Sequence, residues 1–204
     1  MEKRMTITYE VENKLYLNIT NKCPCNCTFC IRNNGDGAYG SDPLWLEHQP
    51  TADEVVEALK KCDLSRYRQV VFCGYGEPTC ELEILKKAAA FIRSASDISI
   101  RINTNGLSDL INGRNTAPEF KSVADSVSIS LNAPDKDEYY AVTRPSFRDK
   151  DCFEAMLKFA SEVKEYVPEV MFTVVDVIGE EAIEKSKQVA ESVGIALRVR
   201  EYIG

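Results

Sequence analysis

The chain has 204 residues, a formal net charge of −7, eight cysteines and a single histidine, His48. That length suffices for one domain with a substantial core, and no apolar run approaches the ~20 residues of a membrane span. The acidic balance argues against broad binding to phosphate backbones, and one histidine argues against a multi-histidine metal site.

The N-terminal MEKRMTITYE lacks the apolar core of a secretory signal. The expected location is the reducing cytoplasm, with no membrane partner. There, clustered cysteines bind metal or react more often than they form disulfides.

Strand-like and helix-like segments alternate along the chain. Residues 14–20 alternate apolar and polar, and the stretch before them predicts a hairpin turning at Glu12–Asn13, with residues 1–13 adding an edge strand. Residues 23–30 then read CPCNCTFC. Pro24, Asn26 and Thr28 mark this stretch as a loop. Cys23, Cys27 and Cys30 are spaced C-x3-C-x2-C. So tight a group cannot pair internally without severe strain, but three thiolates can hold one iron–sulfur cluster. Three ligands on four irons leave one iron open for chemistry, as an open position distinguishes catalytic zinc from structural zinc. A zinc site using all four cysteines is the competing reading. Cys25 falls outside the three-cysteine spacing and is read as a bystander facing solvent or a partner.

Residues 31–50 form a loop of about twenty residues with three glycines, and they carry Tyr39, Trp45 and His48. Loops of that length in a compact domain tend to be functional. Either Leu44, Trp45 and Leu46 anchor it to the domain, or it forms a lid or part of a substrate pocket.

Residues 51–62 predict a helix with Val55, Val56 and Leu59 at helical spacing, opened by the capping pair Thr51 and Glu54. A strand follows at 68–73, then a helix at 81–95 with Leu82, Leu85, Ala89 and Ile92 on one stripe, then a strand at 98–103. The segment 107–122 predicts a short helix near its end. A strand at 125–131, a helix at 149–165 with Phe153, Met156, Leu157 and Ala160 inward, a strand at 169–177, a helix at 180–193 and a strand at 195–202 complete the chain. This alternation predicts parallel strands with crossovers. Six repeats fall short of the ~250 residues of a closed eight-fold barrel. The expected fold is therefore α/β: an open, three-quarter parallel β/α barrel of six strands, in a single domain over 1–204. A flat doubly wound sheet is the alternative.

The unusual residue clusters all fall where predicted strands end, which is where ligands bind in such barrels. After the second of the six strands comes GYGEPT, residues 74–79. Glycines permit close backbone approach, Pro78 biases Glu77 towards an extended backbone, and a carboxylate so presented can accept a hydrogen bond from an ammonium. Asn105 in TNG, Ser130 and Asn132 in SISLN, Arg144 before Pro145, and Val177 in VIG stand at later strand ends. For Asn105, Ser130 and Asn132, local turn chemistry is the competing explanation.

CPCNCTFC, with Phe29 just before its last cysteine, resembles the cluster loop of the radical S-adenosylmethionine (SAM) enzymes. GYGEP resembles that family's GGEP motif, with Tyr75 as the departure. The resemblance implies that Cys23, Cys27 and Cys30 hold a [4Fe–4S] cluster whose open iron is chelated by SAM. One electron then splits SAM into methionine and a 5′-deoxyadenosyl radical that abstracts hydrogen from a substrate. It implies cofactor contacts at Phe29, Gly74, Tyr75, Gly76, Glu77, Asn105, Ser130, Asn132, Arg144 and Val177.

The implied partners are an electron donor such as flavodoxin or ferredoxin and a large substrate such as a peptide or protein. CTFCIR, LWLE and the length near 200 residues most resemble small family members associated with TatD-type nucleases. An iron–sulfur or zinc module for electron transfer or regulation, without SAM chemistry, is the alternative function. Cys62, Cys73, Cys80 and Cys152 form no second cluster motif. Cys73 is either a hydrogen donor at the site or a buried apolar residue.

Overall fold

The computed structural model describes residues 1–202. The chain divides into two compact units. The first comprises Met1–Cys23, Ile31–Asn103 and Val123–Asp125. Strands β1 (Thr8–Val11) and β2 (Lys14–Leu17) form an antiparallel hairpin, with Glu12 in the left-handed region at the turn (φ 54°). β2 pairs in parallel with β3 (Gln69–Phe72), and β3 with β4 (Ser99–Thr104).

Side chains alternate across these strands. Leu15 and Leu17, Val70 and Phe72, and Ile100 and Ile102 are buried on one face. Each such side chain contributes about 2 kcal/mol by leaving water. Helices α1 (Ala52–Lys60) and α2 (Leu82–Ala95) pack on each other and bury Val55 and Leu59, and Leu85, Ala88, Ala89 and Ile92. α1 opens with the predicted capping box. The Thr51 hydroxyl accepts from the Glu54 amide at 3.2 Å, and the Glu54 carboxylate accepts from the Thr51 amide at 2.8 Å. The bond from the Thr51 amide, then those from His48 and from the Thr51 hydroxyl (2.9 Å), hold the Glu54 carboxyl down at about 2.

The second unit comprises Pro24–Cys30, Thr104–Ser122 and the described residues from Ser126 onward. In chain order it holds α3 (Ser108–Asn112), β5 (Ser126–Ser130), α4 (Lys136–Thr143), α5 (Cys152–Val163), β6 (Glu169–Val175), α6 (Glu180–Ser192) and β7 (Ala196–Arg200). β5 and β6 run parallel, as do β6 and β7. Val127, Ile129, Phe172 and Val174 are buried strand residues, and Met156, Phe159 and Ala160 are buried on α5.

The α/β class and parallel strands agree with the sequence reading, but three local expectations change. The short helix in 107–122 lies near its start rather than its end. It is stopped by Gly113 in the left-handed region (φ 66°), and only a 3-10 turn, Ala117–Phe120, stands near the end. In α5 the inward stripe is Cys152, Met156, Phe159, Ala160 and Val163, while Phe153 and Leu157 are half-buried. Asp151 caps this helix by accepting from the Glu154 amide at 3.1 Å, which sets its start later than expected.

α4 was not expected. It buries only Tyr139 and Thr143, four residues apart, so it shows no apolar stripe. Its cap, Asp135, accepts from the Glu138 amide at 2.9 Å. Among the described residues no helix is long and apolar enough to cross a membrane.

Candidate cofactor site

The cysteine segment belongs to a loop whose order comes from hydrogen bonding. The last carbonyls of a helix lack partners within it, and α4 offers two of its own to this loop. The Asn26 amide donates to the Thr143 carbonyl at 3.0 Å and the Thr28 amide to the Val142 carbonyl at 2.9 Å. The Ser146 amide donates back to the Pro24 carbonyl at 2.8 Å. Pinned in this way, the four cysteines separate into two kinds. Cys23, Cys27 and Cys30 are part-exposed, whereas Cys25 is buried, 5% exposed.

Cys25 therefore does not face solvent, one of the two settings the sequence left open for it. Its sulfur receives a long contact, 3.7 Å, from the Asn105 side-chain amide. Asn105 also accepts from the Leu107 amide at 2.9 Å, the turn chemistry that competes with a ligand role. Among the described residues no three His, Cys, Asp or Glu side chains close on one point that a metal ion could occupy. The three thiolates of a four-iron cluster each bind a different iron and have no need to converge.

In the first unit, the GYGEP turn lies against the chain that enters the cysteine loop. The Glu77 amide donates to the Lys22 carbonyl at 2.8 Å, and the Tyr75 amide to Asn18 Oδ1 at 3.1 Å. A Cβ on Gly76 would stand 2.3 Å from the Thr20 carbonyl oxygen and 2.8 Å from that of Lys22; one on Gly74 would stand 2.2 Å from Asn18 Oδ1. Both glycines are thus required by chain-on-chain packing.

Glu77 is buried, and its Oε1 accepts from the Thr79 amide at 3.0 Å and the Thr79 hydroxyl at 2.7 Å. This fixes the carboxylate at the strand end. Burial, and then the Glu77 charge, push the neighbouring Cys80 thiol up to about 12, so Cys80 stays protonated at neutral pH.

Tyr75 occupies a glycine position of the related motif, and its side chain serves the long loop. Its hydroxyl lies 2.9 Å from the Gly35 carbonyl and 2.7 Å from that of Gly37, and its ring meets Trp45 edge-on at 5.2 Å. Leu44 is fully buried, and the Leu46 amide donates to Asn21 Oδ1 at 2.6 Å. The loop is packed down through Leu44, Trp45 and Leu46, while Tyr39 and His48 are exposed.

In the second unit, one cavity of about 350 Å³ is lined by Phe29, Asn132, Ala133, Val177, Ile178 and Tyr202, among others. Three residues singled out from sequence, on the cysteine loop, after β5 and after β6, thus meet around one space. Asn132 is the most informative of them. It is 4% exposed, its backbone is left-handed (φ 64°), and its Oδ1 is buried without a hydrogen-bond partner. Strain and an unmet acceptor at a cavity wall are features of ligand sites.

Ser130 and Arg144 do not line this cavity. Ser130 is half-buried in β5, and Arg144 is exposed at the left-handed end of α4 (φ 47°). Ala133, Glu138 and Tyr202 join the lining without having been singled out. The capping pattern that opens α4 could have pointed to Glu138.

Parallel strands alternating with helices define an α/β protein, with a glycine–glutamate turn in its first unit and a cavity carrying one unmet amide oxygen in its second. The sequence model described as the radical SAM superfamily matches residues 17–191, and the chain belongs to that superfamily. None of the curated proteins matches it.

Among solved structures, Streptococcus suis SuiB bound to precursor peptide SuiA is similar (TM-score 0.69, 17% identity, 94% of this chain and 39% of that one). So are SuiB bound to S-adenosylmethionine (TM-score 0.63, 18% identity, 92% and 38%) and archaeal TYW1 (TM-score 0.57, 15% identity, 95% and 66%). At these identities the likeness is one of fold. The chain spans 39% of the peptide-bound SuiB chain and 66% of TYW1.

Proposed function

We propose that the protein is a radical SAM enzyme that binds a [4Fe–4S] cluster at Cys23, Cys27 and Cys30 and SAM beside it. The observation that carries this is the cavity at which Phe29, Asn132 and Val177 meet, with the Asn132 amide oxygen unmet. The residues fit the two groups. Three part-exposed thiols keep the superfamily's spacing, a buried carboxylate is held at the strand end, and a mainly apolar cavity carries the unmet Asn132 oxygen among a few polar groups.

When bound and reduced, the cluster and SAM supply a 5′-deoxyadenosyl radical for hydrogen abstraction. The protein's own part is positioning and exclusion of water. Phe29, Val177 and Ile178 would cover an aromatic base. Asn132 would accept from a hydroxyl or amino group of the nucleoside. Glu77, clamped by Thr79, would meet the ammonium of the methionine end beside the Gly74–Gly76 backbone. The three-quarter barrel expected of the superfamily is part of this reading.

The finer assignments are proposals of the same kind. CTFCIR and LWLE support a place among the TatD-associated members. An external flavodoxin or ferredoxin would supply the electron. A peptide or protein substrate is supported by the peptide complex of SuiB, a protein of similar fold.

Asn132→Gly keeps a residue at ease at positive φ and deletes only the amide. It is expected to weaken SAM binding to the anaerobically reconstituted protein by roughly tenfold, the worth of one hydrogen bond. Equilibrium dialysis with labelled SAM measures this. Unchanged binding removes Asn132 from the site, and no SAM binding by the wild-type protein leaves the electron-transfer alternative.

A further inference from the structure

In the first unit, the face of β2–β4 opposite the aliphatic side chains carries Tyr16, Val71 and Arg101 in one row, fixed by the register Tyr16↔Val71↔Arg101. Arg101 Nη2 donates to the Tyr16 hydroxyl at 3.4 Å, a weak bond. Its Nε is buried with no acceptor. Among the described residues no carboxylate pairs with it, although the chain carries 32 acidic residues against 25 basic ones. Asn103, two positions further along the same face, buries its Oδ1 without a donor.

A half-buried cation with no anion is costly to hold. An apolar residue beside the fully buried Val71 would avoid that cost. The arginine sits on a strand, so its backbone cannot swing it into solvent. Tyr39 of the long loop stands over the row, its ring 6.4 Å from that of Tyr16.

The geometry points to a binding subsite for the anionic group of the substrate, a carboxylate or a phosphate, held by the Arg101 guanidinium and the Tyr16 hydroxyl. Guanidinium suits such groups because its fork matches two oxygens at once. Since Arg101 donates to the Tyr16 oxygen, the Tyr16 proton remains to be donated. Burial raises the pKa of that hydroxyl, which keeps the proton in place. Asn103 would accept from a donor on the same molecule about 7 Å along the strand. This subsite rests on the enzyme reading only for calling its ligand a substrate; the binding itself needs neither cluster nor SAM.

The test melts the full-length protein at constant ionic strength in chloride, inorganic phosphate or succinate. Wild type is expected to gain a saturable ~2–4 °C in at least one of the two test anions over chloride. A response to phosphate alone assigns a phosphate, to succinate alone a carboxylate, and to both an anion of either kind. Arg101→Gln is expected to lose the response and to melt no lower than wild type in chloride, because the uncompensated cation is gone. Tyr16→Phe, which retains the ring and the cation, is expected to weaken the apparent affinity about threefold or more; it decides the matter should Arg101→Gln not fold. Equal melting of wild type in all three salts, or an unchanged response in the variants, overturns the subsite. SAM cleavage is scored separately, so each reading can fail alone.

Discussion

Cys27→Ala is expected to lose the brown iron–sulfur chromophore and all SAM cleavage, whereas Cys25→Ala keeps both. The two residues are two positions apart in one loop, but their surroundings differ. Cys27 is part-exposed and stands in the C-x3-C-x2-C spacing with Cys23 and Cys30 that carries the family resemblance. Cys25 is turned inward to the Asn105 amide. A cluster left with two protein thiolates has lost a third of its anchoring. A buried thiol replaced by a methyl leaves only a small void, which costs about 1 kcal/mol. Absorption spectra with iron and sulfide analysis of the two reconstituted variants decide it. Loss of the cluster in Cys25→Ala would sink the three-ligand assignment and favour a site built from all four cysteines.

Gly76→Ala is expected to destabilise the fold by roughly 3 kcal/mol and to impair cluster loading along with it. The added methyl would meet the Thr20 and Lys22 carbonyl oxygens at 2.3 and 2.8 Å. These are backbone atoms, so no side-chain rotation relieves the clash. Either the GYGEP turn lifts away, breaking the bond from the Glu77 amide to Lys22, or the chain leading into Cys23 shifts. Denaturant unfolding of the apo protein measures the first effect, and iron content after reconstitution the second. Stability equal to wild type would show that the turn and the loop entry are not packed as described.

Much of this was legible in the sequence, for reasons that differ by element. The strands and the helices α1 and α2 announce themselves because burial on one face imposes a period, and Leu82, Leu85, Ala89 and Ile92 are buried as that period requires. α4 has no such period, and it is the helix that holds the cysteine loop through the Val142 and Thr143 carbonyls.

Phe29, Asn132 and Val177, which line one cavity, stood out in the sequence where a motif carries them. Their convergence did not, because it depends on contacts between distant segments. The glycines of GYGEP were read as making room for a ligand, yet the nearest atoms to their missing side chains belong to residues 18–22. Tyr75 was read as a departure from a motif and as a cofactor contact; that its hydroxyl also fastens Gly35 and Gly37 of the long loop could not be read. Spacing tells which residues are present, while the atoms they press against emerge only from the fold.

The most direct test of the central claim is the product formed from SAM. Anaerobically reconstituted protein, reduced with dithionite and given SAM, is predicted to yield 5′-deoxyadenosine and methionine, detected by chromatography and mass spectrometry, with none formed by Cys27→Ala. Brown, folded protein that neither binds SAM nor yields 5′-deoxyadenosine or another fragment of SAM would contradict the account.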